Sequence, residues 1–101
     1  MKHVRSKNGV PIRIPEERWI HITEEHSEMA GYYFEILETI ENPEEIYRGK
    51  TGELLAVKQL ETGKYMVVVY KEINHKDGFL ITSFLTRRIH QVRRREKEWP
   101  K

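Results

Sequence analysis

An α+β fold is predicted, with helices in the N-terminal half packed on an antiparallel sheet built mainly from the C-terminal half. Three observations carry it. Apolar residues recur at spacings of three and four between positions 19 and 40, the period changes to two after Gly52, and turn residues separate the period-two runs.

In chain order, Val10, Ile12 and Ile14 alternate with Pro11, Arg13 and Pro15, which suits a short edge strand and resists a central one. Helical signals follow. Pro15 precedes Glu16 and Glu17, acids suited to a helix N-terminus, and Trp19, Ile22, His26 and Met29 fall on one stripe if the helix is continuous. A second helix is expected from about Ser27 or Tyr32 to Ile40, because Tyr33, Ile36, Leu37 and Ile40 mark one buried face; Gly31 weakens continuity between the two. Asn42, Pro43, Glu44 and Glu45 then give a helix-start signal, with Asn as cap, Pro in the first turn and Glu45 at capping-box distance, for a short helix ending near Gly49.

Beyond Gly52, the runs Leu54 to Leu60, Lys64 to Lys71 and Phe79 to Leu85 predict a three-stranded meander. Its middle strand sets Tyr65, Val67 and Val69 on one face and Met66, Val68 and Tyr70 on the other, so both faces require cover. On the third strand, strict alternation groups Leu80, Thr82 and Phe84 against Phe79, Ile81, Ser83 and Leu85. From Arg87 onward the chain is expected to extend the strand briefly and then become irregular or helical.

The 101 residues suit one domain, residues 1–101, with a basic C-terminal tail from about 87. No apolar run reaches membrane-spanning length, the longest being Tyr65 to Tyr70, so no membrane association and a cytoplasmic location are expected. The absence of cysteine excludes disulfides, thiolate metal sites and a cysteine nucleophile. The net charge of +2 conceals segregation: residues 1–14 carry four bases and no acids, residues 15–86 seven Lys/Arg against fourteen Asp/Glu, and residues 87–101 seven Lys/Arg against two Glu. Arg87, Arg88, Arg93, Arg94 and Arg95 can therefore neutralise phosphates, or simply form a solvated tail.

Glycine-rich phosphate loops, zinc-protease helices and calcium loops are missing from the sequence. His21 and His26 lie about 140° apart on an ideal helix, which is not a chelating pair, so no metal and no other cofactor is expected. Metal-free RNA cleavage needs a base for the 2′-OH, an acid for the leaving 5′-oxygen and groups that stabilise charge on the phosphate. His21, His26, Arg18, Lys71, Thr82, Ser83 and Arg87 supply those types. Each also has a plain structural reading: His26 as a core or capping residue, His21 as a surface partner of Glu25 or Arg18, Thr82 and Ser83 as strand formers, and Lys71 and Arg87 as solvated charge.

The blocks Arg18-Trp19-Ile20-His21-Ile22, Glu25-His26-Ser27-Glu28, Glu38-Thr39-Ile40-Glu41-Asn42-Pro43-Glu44, Tyr65-Met66-Val67-Val68-Val69 and Gly78-Phe79-Leu80-Ile81-Thr82-Ser83-Phe84 resemble a family pattern. It is that of the small phage and bacterial proteins of the barnase, EndoU, colicin and RelE-like nuclease superfamily, over about residues 10–90. The resemblance implies an antiparallel sheet of about four strands with RNA on its exposed face. His21 and His26 match the family's two histidine positions, Thr82 its strand threonine, and Arg18 and Glu28 polar positions beside the histidines. Ser27 replaces the usual proline and Ser83 a common alanine.

The leading expectation is a metal-independent endoribonuclease, toxin-like or phage-conflict related, cleaving by 2′-OH attack. His21, His26 and Thr82 are the candidate catalytic residues; Arg18, Lys71, Ser83 and Arg87 are the candidate substrate-binding residues. The alternative is a noncatalytic module binding RNA or a protein, because residues 16–45 hold ten Glu against Arg18 alone. RNA, a protein inhibitor or other protein partner, and a homodimer formed through an edge near residues 10–15 or 54–60 are the partners considered.

Overall fold

A computed structural model describes residues 2–101. A seven-stranded mixed sheet forms its centre, in the order β1 (Lys2–Arg5), β2 (Pro11–Ile14), β6 (Asp77–Thr86), β5 (Lys64–Asn74), β4 (Leu54–Glu61), β3 (Glu45–Arg48) and β7 (Lys97–Trp99). Neighbours run antiparallel except β2 and β6, which are parallel through Ile12 with Gly78 and Arg13 with Phe79. The sheet is therefore larger than four strands and not wholly antiparallel. The extra strands are short, and β1 and β7 carry little apolar alternation to announce them.

One face is covered by α1 (Glu16–Glu25), a 3₁₀ turn (Ser27–Gly31) and α2 (Tyr33–Glu41). Ile22, Met29, Ile36 and Ile40 from this layer pack on Ile12, Met66, Val68, Tyr70 and Leu80. Trp19 meets Tyr33 edge to face at 5.0 Å. The stripe expected to run from Trp19 to Met29 is broken: α1 stops at Glu25, and His26, at φ −132° and ψ 76°, joins it to the 3₁₀ turn.

The helix expected near residues 42–49 is strand β3. Asn42 closes α2 as its C-cap, and Ile46 and Tyr47 are buried in different clusters, one on each face of the sheet. Burying an apolar side chain of such size contributes roughly 1.5–3 kcal/mol, whereas a helix cap is worth about 1 kcal/mol. Pairing with Leu55 and Ala56 therefore outweighs the local start signal.

Residues 10–15 and 54–60 are not free edges, since β2 lies between β1 and β6 and β4 lies between β3 and β5. Pro11 is tolerated inside the sheet because it opens its strand. The tail is more ordered than an irregular extension: α3 (Ile89–Val92) folds back on the sheet and β7 pairs with β3.

The second face gathers Tyr47, Leu55, Val57, Val67 and Val69 beneath Ile89 and Val92 of α3. Here strict alternation on β6 fails. Val69 pairs with Thr82 and Tyr70 with Leu80, leaving Ile81 as the extra residue of a bulge. Leu80 thereby joins the helix-covered core, while Ile81 and Phe84 pack against the second cluster. With only four residues, α3 leaves part of this face open.

Candidate active site

On that open part lies a cavity of about 290 Å³, lined by Glu53, Leu55, Val69, Phe84, Thr86, Arg88, Gln91, Val92 and Arg95. Leu55 and Val69 form an apolar floor on neighbouring strands, and Val92 closes one side from α3. Polar groups arrive from two directions: Glu53 just before β4, and Arg88, Gln91 and Arg95 from the α3 segment. Thr86 fixes the second approach by accepting a hydrogen bond from the Arg88 N–H at 2.9 Å.

Glu53 has its carboxylate anchored by its own loop. Its carboxyl is lowered from the usual carboxylate range, first by its own backbone N–H, then by the Thr51 hydroxyl and N–H, with a smaller contribution from the Arg95 charge. The Thr51 hydroxyl and N–H each donate to Glu53 Oε1 at 2.8 Å. The Gly49 N–H donates to the Glu53 carbonyl at 2.8 Å, and a Cβ at Gly49 would overlap the Glu53 side chain. The loop between β3 and β4 is thus shaped around one carboxylate.

His26 reaches this region from the helix layer. β2 pairs with β6 only at Gly78 and Phe79, leaving the later part of β6 to be flanked by α1 and the 3₁₀ turn. At that margin the His26 ring lies 6.2 Å from the Phe84 ring, inclined by 39°, and Phe84 in turn lines the cavity. His26 Nδ1 stands 3.8 Å from Glu28 Oε2. The donor set of one carboxylate, two guanidiniums, an amide and an imidazole at the margin suits a phosphate ester with a polar leaving group.

The sequence candidates divide sharply. His26 and Thr82 lie on β6 or beside it, Thr82 next to the bulged Ile81 and half-buried. His21 instead lies exposed on α1, with Nδ1 3.7 Å from Glu24 Oε1. Arg18 is exposed on the same helix and forms no ion pair among the described residues. Ser83 is fully buried and donates to the Val67 carbonyl at 2.9 Å, which fastens β6 to β5. Lys71 donates to the Thr51 carbonyl at 3.2 Å, at the Glu53 end of the face.

Arg87 lies at the other end. Tyr65 pairs with Thr86 and Lys71 with Phe79, which separates Arg87 from Lys71 by about 20 Å along the strands. One phosphate therefore cannot touch both. Arg93 is also diverted from ligand binding: it forms two hydrogen bonds to Glu45, at 3.0 and 2.9 Å, and lies 5.3 Å over the Tyr65 ring. Arg88 and Arg95 are the tail cations at the cavity. Glu53 and Gln91 had no signal in sequence, since neither belongs to a motif and their neighbours are supplied by distant strands.

Among the described residues, no helix is long and apolar enough to cross a membrane. No group of three or more His, Asp or Glu side chains suited to holding a metal ion occurs among them either. No curated protein and no solved structure matches the chain. The family model described as phage-Barnase-EndoU-ColicinE5/D-RelE like nuclease2 matches residues 1–99. With nearly the whole sheet and helix layer inside that match, the chain belongs to the phage-Barnase-EndoU-ColicinE5/D-RelE like nuclease2 family.

Proposed function

We propose that the chain is a metal-independent endoribonuclease that cleaves RNA in the sheet-face cavity, in a toxin-like or phage-conflict setting. The observation that carries this reading is the juxtaposition of Glu53 with Arg88 and Arg95 around one cavity whose Phe84 wall faces the His26 ring. Family membership supports nuclease chemistry. The side chains support the choice of RNA, because 2′-OH attack needs only proton transfer and anion stabilisation.

In this mechanism Glu53 accepts the proton of the 2′-OH as its oxygen bonds to phosphorus. His26, as imidazolium, gives a proton to the 5′-oxygen as the P–O5′ bond breaks. The products are a 2′,3′-cyclic phosphate and a 5′-OH, with no other reactant consumed. Arg88 and Arg95 offset the charge that builds on the nonbridging oxygens, and removing such a group typically costs about 10²–10³ in rate. Phe84 offers a stacking surface for a base, worth about 1–3 kcal/mol in single-strand recognition. Thr82 and Lys71 orient the strand at the Glu53 end, while Arg18 and Arg87 contribute longer-range attraction. His21 has no proton-transfer role in this scheme because its side chain lies on the solvent face of α1.

The test is incubation of purified protein with mixed RNA in EDTA, followed by mapping of product ends. Cleavage leaving 2′,3′-cyclic phosphates supports the proposal. Intact RNA after incubation with folded protein overturns it in favour of a noncatalytic binding module.

A further inference from the structure

We propose that two copies of this chain associate head to tail, with Phe34 of one copy entering the sheet-face cavity of the other. Phe34 lies on α2 with 74% of its surface exposed, although Tyr33 beside it packs inward on Trp19. It borders a shallow depression shared with Glu35, Leu37, Glu38 and Glu41. Glu38 is engaged by Lys58 at 3.1 Å, whereas Glu35 and Glu41 form no ion pair among the described residues. The projection is therefore an aromatic ring with an acidic rim.

The cavity is its complement. Leu55, Val69, Phe84 and Val92 give the cavity its apolar part, while Thr86, Gln91, the Glu53 carboxylate and the guanidiniums of Arg88 and Arg95, which form no ion pair among the described residues, give it a polar part with two cations against one anion. Its volume of about 290 Å³ compares with the roughly 150 Å³ of an engineered cavity that takes up benzene. An aromatic anchor in a pocket with opposed charges around it is the arrangement that concentrates binding energy in few residues. Charge also selects the geometry. A two-fold contact through the helix layers would set acid against acid, since residues 16–45 hold ten Glu and Arg18 is their sole Lys or Arg. A head-to-tail contact sets acid against base and, being heterologous, lengthens with concentration unless it closes into a ring.

This inference goes beyond the proposed cleavage and does not depend on it. Sedimentation equilibrium without RNA tests it, at low salt, across a wide concentration range. Wild type is expected to rise in mass above 12.2 kDa with concentration and to return to monomer at high salt. Phe34→Ser and Arg88→Glu/Arg95→Glu are each expected to remain monomeric alone. Mixed, they are expected to form a complex of twice that mass and stop there, because one keeps the cavity and the other the plug. A wild-type monomer at every concentration overturns the proposal. So does association that survives Phe34→Ser, or a mixture of the two variants that stays monomeric.

Discussion

The His26 ring lies 6.2 Å from the Phe84 ring, across the margin where the helix layer meets the later part of β6. Two residues separated by 58 positions thus bring an imidazole from one layer to a cavity formed by the other. At this margin α1 stops at Glu25, and His26, at φ −132° and ψ 76°, leaves the helical path before the 3₁₀ turn begins.

Replacing His26 with Ala is expected to lower RNA cleavage by about 10²–10⁴-fold, the usual contribution of a positioned proton donor. His21→Ala should remain within a few-fold of wild type, because its nearest charged partner is Glu24 on its own helix. Cleavage rates with circular dichroism of both variants separate lost chemistry from lost folding.

Glu53→Gln is expected to reduce cleavage while keeping the hydrogen bonds that its carbonyl oxygen can still accept. Gly49→Ala offers an independent check, since the new methyl would occupy space taken by the Glu53 side chain. Both variants should lower kcat more than they raise KM. An unchanged kcat in folded Glu53→Gln would remove Glu53 from the proton transfer.

Binding of uncleavable single-stranded RNA should weaken with rising salt. The slope of log K against log salt is expected to fall by roughly 0.7 for each phosphate contact removed by Arg88→Ala or Arg95→Ala. Arg93→Ala should change this slope less, because Glu45 already neutralises that guanidinium. The comparison is made by titration at several ionic strengths.

Ser83→Ala is expected to lower folding stability by about 1 kcal/mol, the typical net value of one hydrogen bond, without a change in cleavage. Its hydroxyl fastens β6 to the Val67 carbonyl within the sheet. Chemical denaturation and the cleavage assay give the two readouts.

Stability should also fall on acidification through Glu45. Its carboxyl is lowered from 4.5, chiefly by the Arg93 hydrogen bonds, against the opposing effect of burial, with Tyr47 and the Arg93 charge adding smaller effects. A depressed folded value means that this contribution is complete above the unfolded value and is lost as pH falls through the lower, folded one. Arg93→Ala should therefore remove part of the acid limb in denaturation measured between neutral pH and pH 2.

The central strand was the most legible part of the chain, because β5 buries both faces and its alternation is uninterrupted from Tyr65 to Tyr70. Where tertiary pairing competed with local chemistry, local chemistry misled. Asn42 and Pro43 carry the residue types of a helix start, yet Ile46 and Tyr47 gain more by pairing in the sheet. Ile81 defeats period-two reading through a bulge, and β1 and β7 are edge strands too short and too polar to register as period-two runs. The cavity was hidden for a related reason: Glu53, Phe84, Arg88 and Arg95 come together through β4, β6 and α3, not through a spacing in sequence.

The most direct measurement is single-turnover cleavage of a defined single-stranded RNA in EDTA by wild type, His26→Ala and His21→Ala, with end-group analysis. Wild type and His21→Ala are expected to leave 2′,3′-cyclic phosphate products, and His26→Ala to lose at least about 10²-fold in rate. Equal rates for wild type and a folded His26→Ala protein would remove His26 from the cleavage step.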